Sequence, residues 1–281
     1  MLPIFFGFLS ALSWGAGDFS GGLASRKLGA YRAVLYADFF GLLLIAIVLG
    51  MYHEEIPSAY VLINSVIGGA LGSVGLLVLY YSLTQGQMSI AAPVSALFAA
   101  VLPVVVGAIT EGFPKLLQVL GFGIALAAVW LISRGNSTER FRLAHLADLR
   151  LPILAGVGFG SYFIFIHNAT QATDTVLWPM LTSRLAGTLL LFFVVLIRRE
   201  SFAVPRNAST VVFFNATLDV GGNFFYILAS RLGRLDIAAV LSSLYPGATV
   251  LLAWFLLKEH ISQKQWVGIL AALIAIILFT L

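Results

Sequence analysis

Four ionisable side chains interrupt long apolar runs of this sequence, and their chemistry needs the most explanation. They are Asp18, Asp38, Arg184 and Asp219. A charged side chain at the centre of a membrane-spanning helix costs about 2.5–3.5 kcal/mol on insertion scales. We therefore expect all four to face the protein interior, where they could pair with one another, bind a charged solute or carry a proton.

Arg184 and Asp219 stand near the middle of their apolar runs and carry opposite charges. One interpretation is a buried ion pair that locks two helices together. The alternative is a binding site, because the planar guanidinium of Arg184 suits two parallel hydrogen bonds to a substrate carboxylate. The candidates for proton coupling are the three acids Asp18, Asp38 and Asp219. Three acids against one Arg predict a negative cavity, which favours a cationic or zwitterionic solute.

Two polar stripes accompany these charges, each with residues at positions i, i+4 and i+8 of one helix face. A lone Asn in a membrane span is often an interhelical hydrogen bond. Three polar residues in line with an aromatic ring instead indicate the wall of a cavity. The first stripe is Asn215, Asp219 and Asn223, continued by Tyr226, and the second is Ser10, Trp14 and Asp18.

Aromatic residues inside the apolar runs could present ring faces to a cation or an apolar solute. Each of them alone is more often a packing residue. The candidates for substrate binding, together with the hydroxyl of Ser95, are Trp14, Tyr80, Phe98, Trp178, Tyr226 and Tyr245.

Pro93 and Pro103 lie within the apolar run 88–109 and Pro246 lies within the run 236–257, where a proline removes a backbone hydrogen bond from a helix. Such a gap is tolerated in a membrane where it lines a cavity or finds another partner. We therefore interpret Pro93, Pro103 and Pro246 as candidate gating positions.

Catalytic and metal-binding patterns are missing from the sequence. It has no cysteine, and its 4 histidines lack ligand-like spacing. It contains no HExxH, GxSxG or P-loop motif. We expect no catalytic residue, no metal and no cofactor. The net charge of +4 does not indicate nucleic-acid binding, because the basic residues sit between apolar runs.

The elements that position these residues are predicted to be membrane-spanning helices. The chain of 281 residues is 60% hydrophobic and 10% charged, against about 25% charged in soluble domains. Each span needs about 20 residues. We predict an all-α integral membrane protein with ten spans, at 3–23, 33–51, 61–82, 88–109, 115–133, 151–169, 176–197, 209–230, 236–257 and 264–281.

The longest polar connection, 134–150, divides the spans into two sets of five, 1–133 and 151–281. The side of the membrane that holds this connection carries twelve of the 16 Lys and Arg residues, whereas the other side carries only Lys115, Arg231 and Arg234. The positive-inside rule therefore predicts a cytoplasmic connection, termini outside and a multi-pass protein of the cytoplasmic membrane.

The two sets repeat one another when the sequence is shifted by 147 residues. Gln118 and Gly121 then meet Gln265 and Gly268, and Ser95 meets Ser242. An odd number of spans per set forces the second set to insert upside down. The halves are then predicted to be inverted repeats around a central cavity, an architecture typical of secondary transporters.

Several local features then suggest a family. With Trp14-Gly15, Pro246, Leu257-Lys258-Glu259 and Gly268, the chain resembles EamA-type members of the drug/metabolite transporter superfamily over nearly its whole length. Two positions depart from that pattern: Glu111 falls one residue short of the register of Glu259, and Asp38 stands where an Arg is common. The resemblance implies a cavity between helices 1–4 and 6–9, alternating access and, against our charge count, cytoplasmic termini.

The function that these patterns favour is secondary transport of small organic metabolites or drugs by alternating access, with proton coupling through a carboxylate as one option. We expect a small-molecule substrate and membrane lipid as partners, and no nucleic acid. The alternatives are an integral membrane scaffold and a membrane enzyme. An enzyme usually places its polar residues near one surface, whereas Arg184 and Asp219 are predicted near mid-depth.

Overall fold

The computed structural model describes residues 1–52, 54–84, 88–133, 149–202, 206–258 and 260–280, and this part of the chain is almost entirely helical. Apolar runs of this length form helices in lipid, because a helix satisfies every backbone group within itself. The described helices are α1 Leu2–Leu28, α2 Ala30–Tyr52, α3 Ala59–Thr84, α4 Met88–Thr110, α5 Leu116–Ser133, α6 Arg150–Gln171, α7 Leu177–Ile197, α8 Arg206–Leu232, α9 Leu235–Ser242, α10 Tyr245–Leu257 and α11 Gln263–Thr280.

Seven stretches in the described residues are helical, long and apolar enough to cross a membrane, the last of them running from α9 through α10. Three shorter apolar helices, Val94–Thr110, Leu116–Ile132 and Gln263–Phe279, coincide with the remaining predicted spans. At 1.5 Å per residue a 17-residue helix is about 26 Å long, slightly less than the hydrocarbon core. The protein is an all-α membrane protein.

The predicted ninth span, 236–257, is interrupted in the structure. α9 ends at Ser242 and α10 begins at Tyr245. Pro246 is the second residue of α10, where its missing N–H is not needed. Pro103 has no such effect, since α4 continues through it.

The connections described are short. A single residue, Gly29, separates α1 from α2, and its φ of +80° lies in the region that favours glycine. The predicted connection 134–150 falls mostly on residues 134–148, which lie outside the described residues, as does Glu259.

The pairing of the helices is related by exchange of the two sets. α1 packs against α8 and α10, while α6, the first helix of the second set, packs against α3 and α4. α2 packs against α8, and α7 against α3. α5 packs against α11, and α2 against α7, each with its own counterpart.

The aligned glutamines and glycines occupy matching places. The side chain of Gln118 accepts the backbone N–H of Lys115 at 3.1 Å, and that of Gln265 accepts the N–H of Ser262 at 2.9 Å. Each therefore caps the start of its helix, α5 or α11. On the contact between these helices, Gly121 faces Phe279 of α11 and Gly268 faces Ile132 of α5. The sequence register of 147 residues thus corresponds to a shared geometry.

Candidate functional site

Arg184 of α7 lies at the centre of the polar site and is only 7% exposed. Its two terminal nitrogens donate to different carboxylates, one to Asp38 of α2 and the other to Asp219 of α8. A guanidinium has five N–H donors in a rigid fork, so one side chain can hold two carboxylates. We call Asp38, Arg184 and Asp219 the ionic centre. It joins three helices from both halves of the chain.

The close approach of α2, α3, α7 and α8 depends on residues without side chains. A Cβ added at Gly187 would lie 2.4 Å from the hydroxyl of Ser73 and 3.1 Å from the second oxygen of Asp38. A Cβ at Gly41 would lie 3.0 Å from Val220 and 3.8 Å from the Arg184 guanidinium. These positions leave the space that the ionic centre occupies.

Asn223 extends the ionic centre towards α6. One turn beyond Asp219, its side-chain nitrogen donates to the Asp219 carbonyl at 2.7 Å and lies 3.4 Å from the carboxylate. Its side-chain oxygen accepts the hydroxyl of Tyr162. Asp219 and Asn223 of the predicted stripe on α8 thus contact each other, whereas Asn215 donates to the carbonyl of Gly17 at 2.7 Å.

Four aromatic rings form a cluster beside Asn223. The ring of Tyr226 lies 4.7 Å from Phe163, 6.0 Å from Trp14 and 6.2 Å from Tyr162, measured between centroids. The hydroxyl of Tyr226 donates to the carbonyl of Phe163 at 2.7 Å. Tyr226 is fully buried, so packing covers its ring in this conformation.

Asp18 lies on the inward face of α1, at the depth of the ionic centre. Its neighbour Gly17 packs so closely on α8 that an added Cβ would lie 3.5 Å from the backbone nitrogen of Asp219. Gly15 packs on α10. With 3.6 residues per turn, the Asp18 side chain points between these two contacts, away from the outward face that carries exposed Phe5.

The carboxylate of Asp18 differs from the other two, because no residue that the structure describes pairs with it. It is exposed, and within the described part of the chain it makes no hydrogen bond or ion pair. Asp38 and Asp219 share the single positive charge of Arg184. With all of these groups ionised, the ionic centre and Asp18 together carry a net charge of −2, most accessible at Asp18.

The other predicted site residues lie elsewhere. Trp178, at the start of α7, donates to the carbonyl of Glu54 at 3.2 Å. Ser95 and Phe98 pack against Gly156 of α6. Tyr245 is the first residue of α10, and its carbonyl faces Gly15 of α1. The side chains of Tyr80 and Pro93 lie outside the described residues.

A second polar cluster, at the end of the molecule where α4 ends and α9 begins, was not predicted. We call Glu111, His167, Ser230, Arg234 and Asp236 the Glu111 cluster. His167 of α6 lies between Glu111, which directly follows α4, and Ser230 of α8. Its ring nitrogens are 2.9 Å from the Glu111 carboxylate and 2.7 Å from the Ser230 hydroxyl.

Glu111 also binds the start of α9, where both carboxylate oxygens lie 3.1 Å from the backbone N–H of Leu235. Partial burial by itself would raise the pKa of Glu111. The hydrogen bonds from His167 and Leu235 outweigh that effect, and together with the charge of Arg234 they hold this pKa below its ordinary value.

The contacts that sequence reasoning missed join residues from distant helices. Tyr162 and His167 are polar interruptions of the apolar run 151–169, which was the available signal for both. Their spacing on α6 could not reveal partners on α8 or beyond α4. No group of three or more His, Asp or Glu side chains in the described ranges is arranged to hold a metal.

Comparison with known proteins bears on the identity of this fold. A crystal structure of another protein covers 99% of this chain and 96% of its own, with a TM-score of 0.81 and 15% identity. At that identity the likeness shows the fold alone. An uncharacterized protein from Methanocaldococcus jannaschii is 26% identical over 131 residues, which make up 47% of this chain and 94% of that protein.

The EamA-like transporter family matches residues 1–134 and 149–281, which together are nearly the whole chain. The resemblance inferred from Trp14-Gly15, Pro246 and Gly268 is thereby confirmed, and the match is to a family of transporters rather than of enzymes. With apolar helices of membrane-spanning length around a buried ionic centre, this chain is a multi-pass membrane protein that belongs to the EamA-like transporter family.

Proposed function

We propose that this protein is a secondary transporter that moves small cationic or zwitterionic organic solutes across the cytoplasmic membrane by alternating access. Its ten spans form two inverted five-helix repeats, 1–133 and 151–281, around a central site. The exchange of helix pairings between the two sets supports this arrangement. The relative from M. jannaschii is about half as long as this chain, as expected if one repeat can exist alone.

The single observation that carries the proposal is the carboxylate of Asp18, which none of the described residues pairs with. It lies on the inward face of a membrane helix beside a paired ionic centre and Trp14. Burying an unpaired charge within a membrane is costly, so such a group is retained where it acquires a partner during function. An amine or a proton is the partner with suitable charge.

The remaining residues have distinct roles in this proposal. The ionic centre of Asp38, Arg184 and Asp219 holds α2, α7 and α8 in register at the site. Asn223 and Tyr162 supply neutral hydrogen-bonding groups, and Trp14 offers an aromatic ring face to a cation. Pro246 lies at the break between α9 and α10, and this break is the hinge about which α10 moves relative to α9.

Transport is tested with the purified protein in liposomes, offered amino acids, amines and nucleobase-type solutes with and without a proton gradient. We expect uptake of at least one amine-bearing solute, and its loss in Asp18→Asn. Asp174→Asn is the matched control, because Asp174 is a fully exposed acid in the connection between α6 and α7.

If folded wild-type protein moves none of these solutes, the proposal is wrong and a scaffold role is favoured. If transport occurs and Asp18→Asn matches Asp174→Asn, the protein is a transporter but Asp18 is not its cation site.

A further inference from the structure

The Glu111 cluster is chemically suited to bind and release a proton. His167 is 6% exposed and Ser230 is fully buried. Nε2 of His167 faces the Glu111 carboxylate and Nδ1 faces the Ser230 hydroxyl. A carboxylate only accepts hydrogen bonds, so Nε2 keeps its hydrogen in both charge states.

The Ser230 hydroxyl can act as donor or acceptor towards Nδ1 of His167, so this hydrogen bond can reverse its direction. When the ring is neutral, Nδ1 accepts the hydroxyl hydrogen. When the ring is protonated, Nδ1 donates and the hydroxyl oxygen accepts. No heavy atom has to move for His167 to gain or lose a proton. Histidine is also the side chain that ordinarily titrates between pH 5 and 8.

The same cluster joins the two halves of the chain at one end of the helices. Glu111 follows α4, in the first half of the chain, and its contacts with His167 and Leu235 reach α6 and α9 of the second half. Arg234 donates to the carbonyl of Glu111 at 3.2 Å and to that of Gly112 at 2.7 Å. Separating the halves at this end therefore requires breaking these contacts.

The charged groups around His167 leave Glu111 as its direct ionic partner. Asp236, fully buried, is paired with Arg234 at 2.7 Å. Arg231 is paired with Asp174 outside the cluster. Tyr226, one turn before Ser230, is the nearby phenol on α8. The helices α3 and α4, which also pack on α6, contain no Asp, Glu, Lys, Arg or His.

We propose that His167 is a proton-binding site of this transporter and that its protonated form, bound to Glu111, holds this end closed. Protonation turns a hydrogen bond between a neutral ring and the Glu111 carboxylate into a contact between opposite charges, which adds their Coulomb attraction. Release of the proton weakens the contact and permits opening. The inference rests on the proposed transport function, in which opening of this end admits or releases the solute.

The test measures the opening of this end by cysteine labelling and needs no substrate. Because the chain has no cysteine, a single Ala238→Cys on fully buried Ala238 of α9 reports access through this end to a membrane-impermeant maleimide. Labelling at pH 6 and pH 8 is divided by that of Asp174→Cys, an exposed reference, to remove the pH dependence of the reagent.

With His167 present, we expect the corrected labelling rate to rise about fivefold or more from pH 6 to pH 8, within the range of coupling between linked sites. His167→Gln and, separately, Glu111→Gln should abolish this rise. His260→Gln is the matched control and should retain it. Glu111→Gln leaves a side chain that can still accept from His167, so it gives an answer even where His167→Gln does not fold.

A rise that persists in either foldable variant overturns the inference, as does a wild-type protein with no rise. The liposome assay of solute uptake is independent of both results. Failure of the proton site and failure of the transport function are therefore distinguishable.

Discussion

Arg184 determines the charge balance of the site, because its single positive charge is shared by carboxylates from two different helices, which leaves the ionic centre with a net charge of −1. Without it, Asp38 and Asp219 would face each other inside the membrane with no counterion. Breaking a buried pair by removing one partner is strongly destabilising, since the other charge remains buried. In this protein one deletion would leave two unpaired carboxylates, both partly buried.

We therefore expect Arg184→Gln to destabilise the protein by about 3–5 kcal/mol, the usual range for an orphaned buried ion partner. Adding Asp38→Asn and Asp219→Asn to the same chain should recover much of this loss, because no net charge then remains. Thermal unfolding of the purified proteins in detergent provides the comparison. A triple variant as unstable as Arg184→Gln alone would show that lost packing, not charge, is responsible.

Glu111 predicts a pH effect on stability with a definite sign. Folding lowers the pKa of this carboxyl below its ordinary value of 4.5. Its charged form therefore stabilises the folded protein above about pH 4.5, and this contribution is lost as the pH falls through the lowered pKa. Between pH 6 and pH 3.5, thermal stability should fall less in Glu111→Gln than in the wild type.

Glu55→Gln provides the control for that measurement, because Glu55 is an exposed acid at the same end of the molecule. Parallel stability curves for wild type and Glu111→Gln would contradict the assignment.

The sequence revealed which residues carry charge into the membrane, but only part of their pairing. Arg184 and Asp219 were predicted as one interpretation because their depths match. The second partner, Asp38, was not predicted as a partner of Arg184, and Tyr162 and His167 were overlooked. Helical periodicity places residues on a face, whereas the neighbour of that face is chosen by tertiary packing of helices distant in sequence.

At the scale of the elements, hydropathy located the helices because the bilayer demands long apolar runs. It did not resolve the break in the predicted span 236–257. The break keeps its backbone groups paired. The N–H groups of Ser243 and Leu244 donate to the carbonyls of Ala239 and Leu241 at 2.9 and 3.2 Å, and the Gly247 N–H donates to the Leu244 carbonyl at 2.9 Å as α10 begins. Such compensation depends on local geometry that composition does not report.

We expect Pro246→Ala to reduce transport while the protein remains folded, because it restores a backbone donor and favours a continuous helix across the break. Pro103→Ala is the comparison, since α4 is already continuous at Pro103 and its transport should change little. Initial uptake rates in liposomes distinguish the two. Equal rates in both variants would remove Pro246 from the gating mechanism.

Close packing of α3 on α7 depends on Gly69. A Cβ there would lie 2.1 Å from the backbone oxygen of Ser183, the residue before Arg184. We expect Gly69→Ala to force the helices apart and sharply lower the yield of folded protein. Gly50→Ala, at a position with nothing within 4 Å, should fold normally, and size-exclusion profiles would compare them. A normal profile for Gly69→Ala would contradict the tight contact.

At the scale of the whole molecule, the orientation in the membrane is a prediction from loop charge. The side with connection 134–150 is expected in the cytoplasm, and the Glu111 cluster would then lie at the outer end. A proton bound at His167 would come from the external medium. The helix pairings are compatible with either orientation. In an inverted repeat, exchanging the two halves of the chain also exchanges the two sides of the membrane, so the pairings are the same either way up.

Orientation is tested with single cysteines in intact cells. Ser137→Cys should react with an impermeant maleimide only after the cells are opened, whereas Asp174→Cys, on the opposite side, should react at once. The reverse pattern would place both termini in the cytoplasm and make the Glu111 cluster an inner closure.

The contact between α5 and α11 has a mechanical meaning if the two halves rock against each other. Each helix presents a glycine to the other, Gly121 to Phe279 and Gly268 to Ile132. The two helices therefore contribute equivalent surfaces to the contact. A joint built this way can serve as a fulcrum, staying still while the ends swing. A covalent staple across it should leave turnover unimpaired, whereas one between Gly112 and Arg234 should stall the cycle.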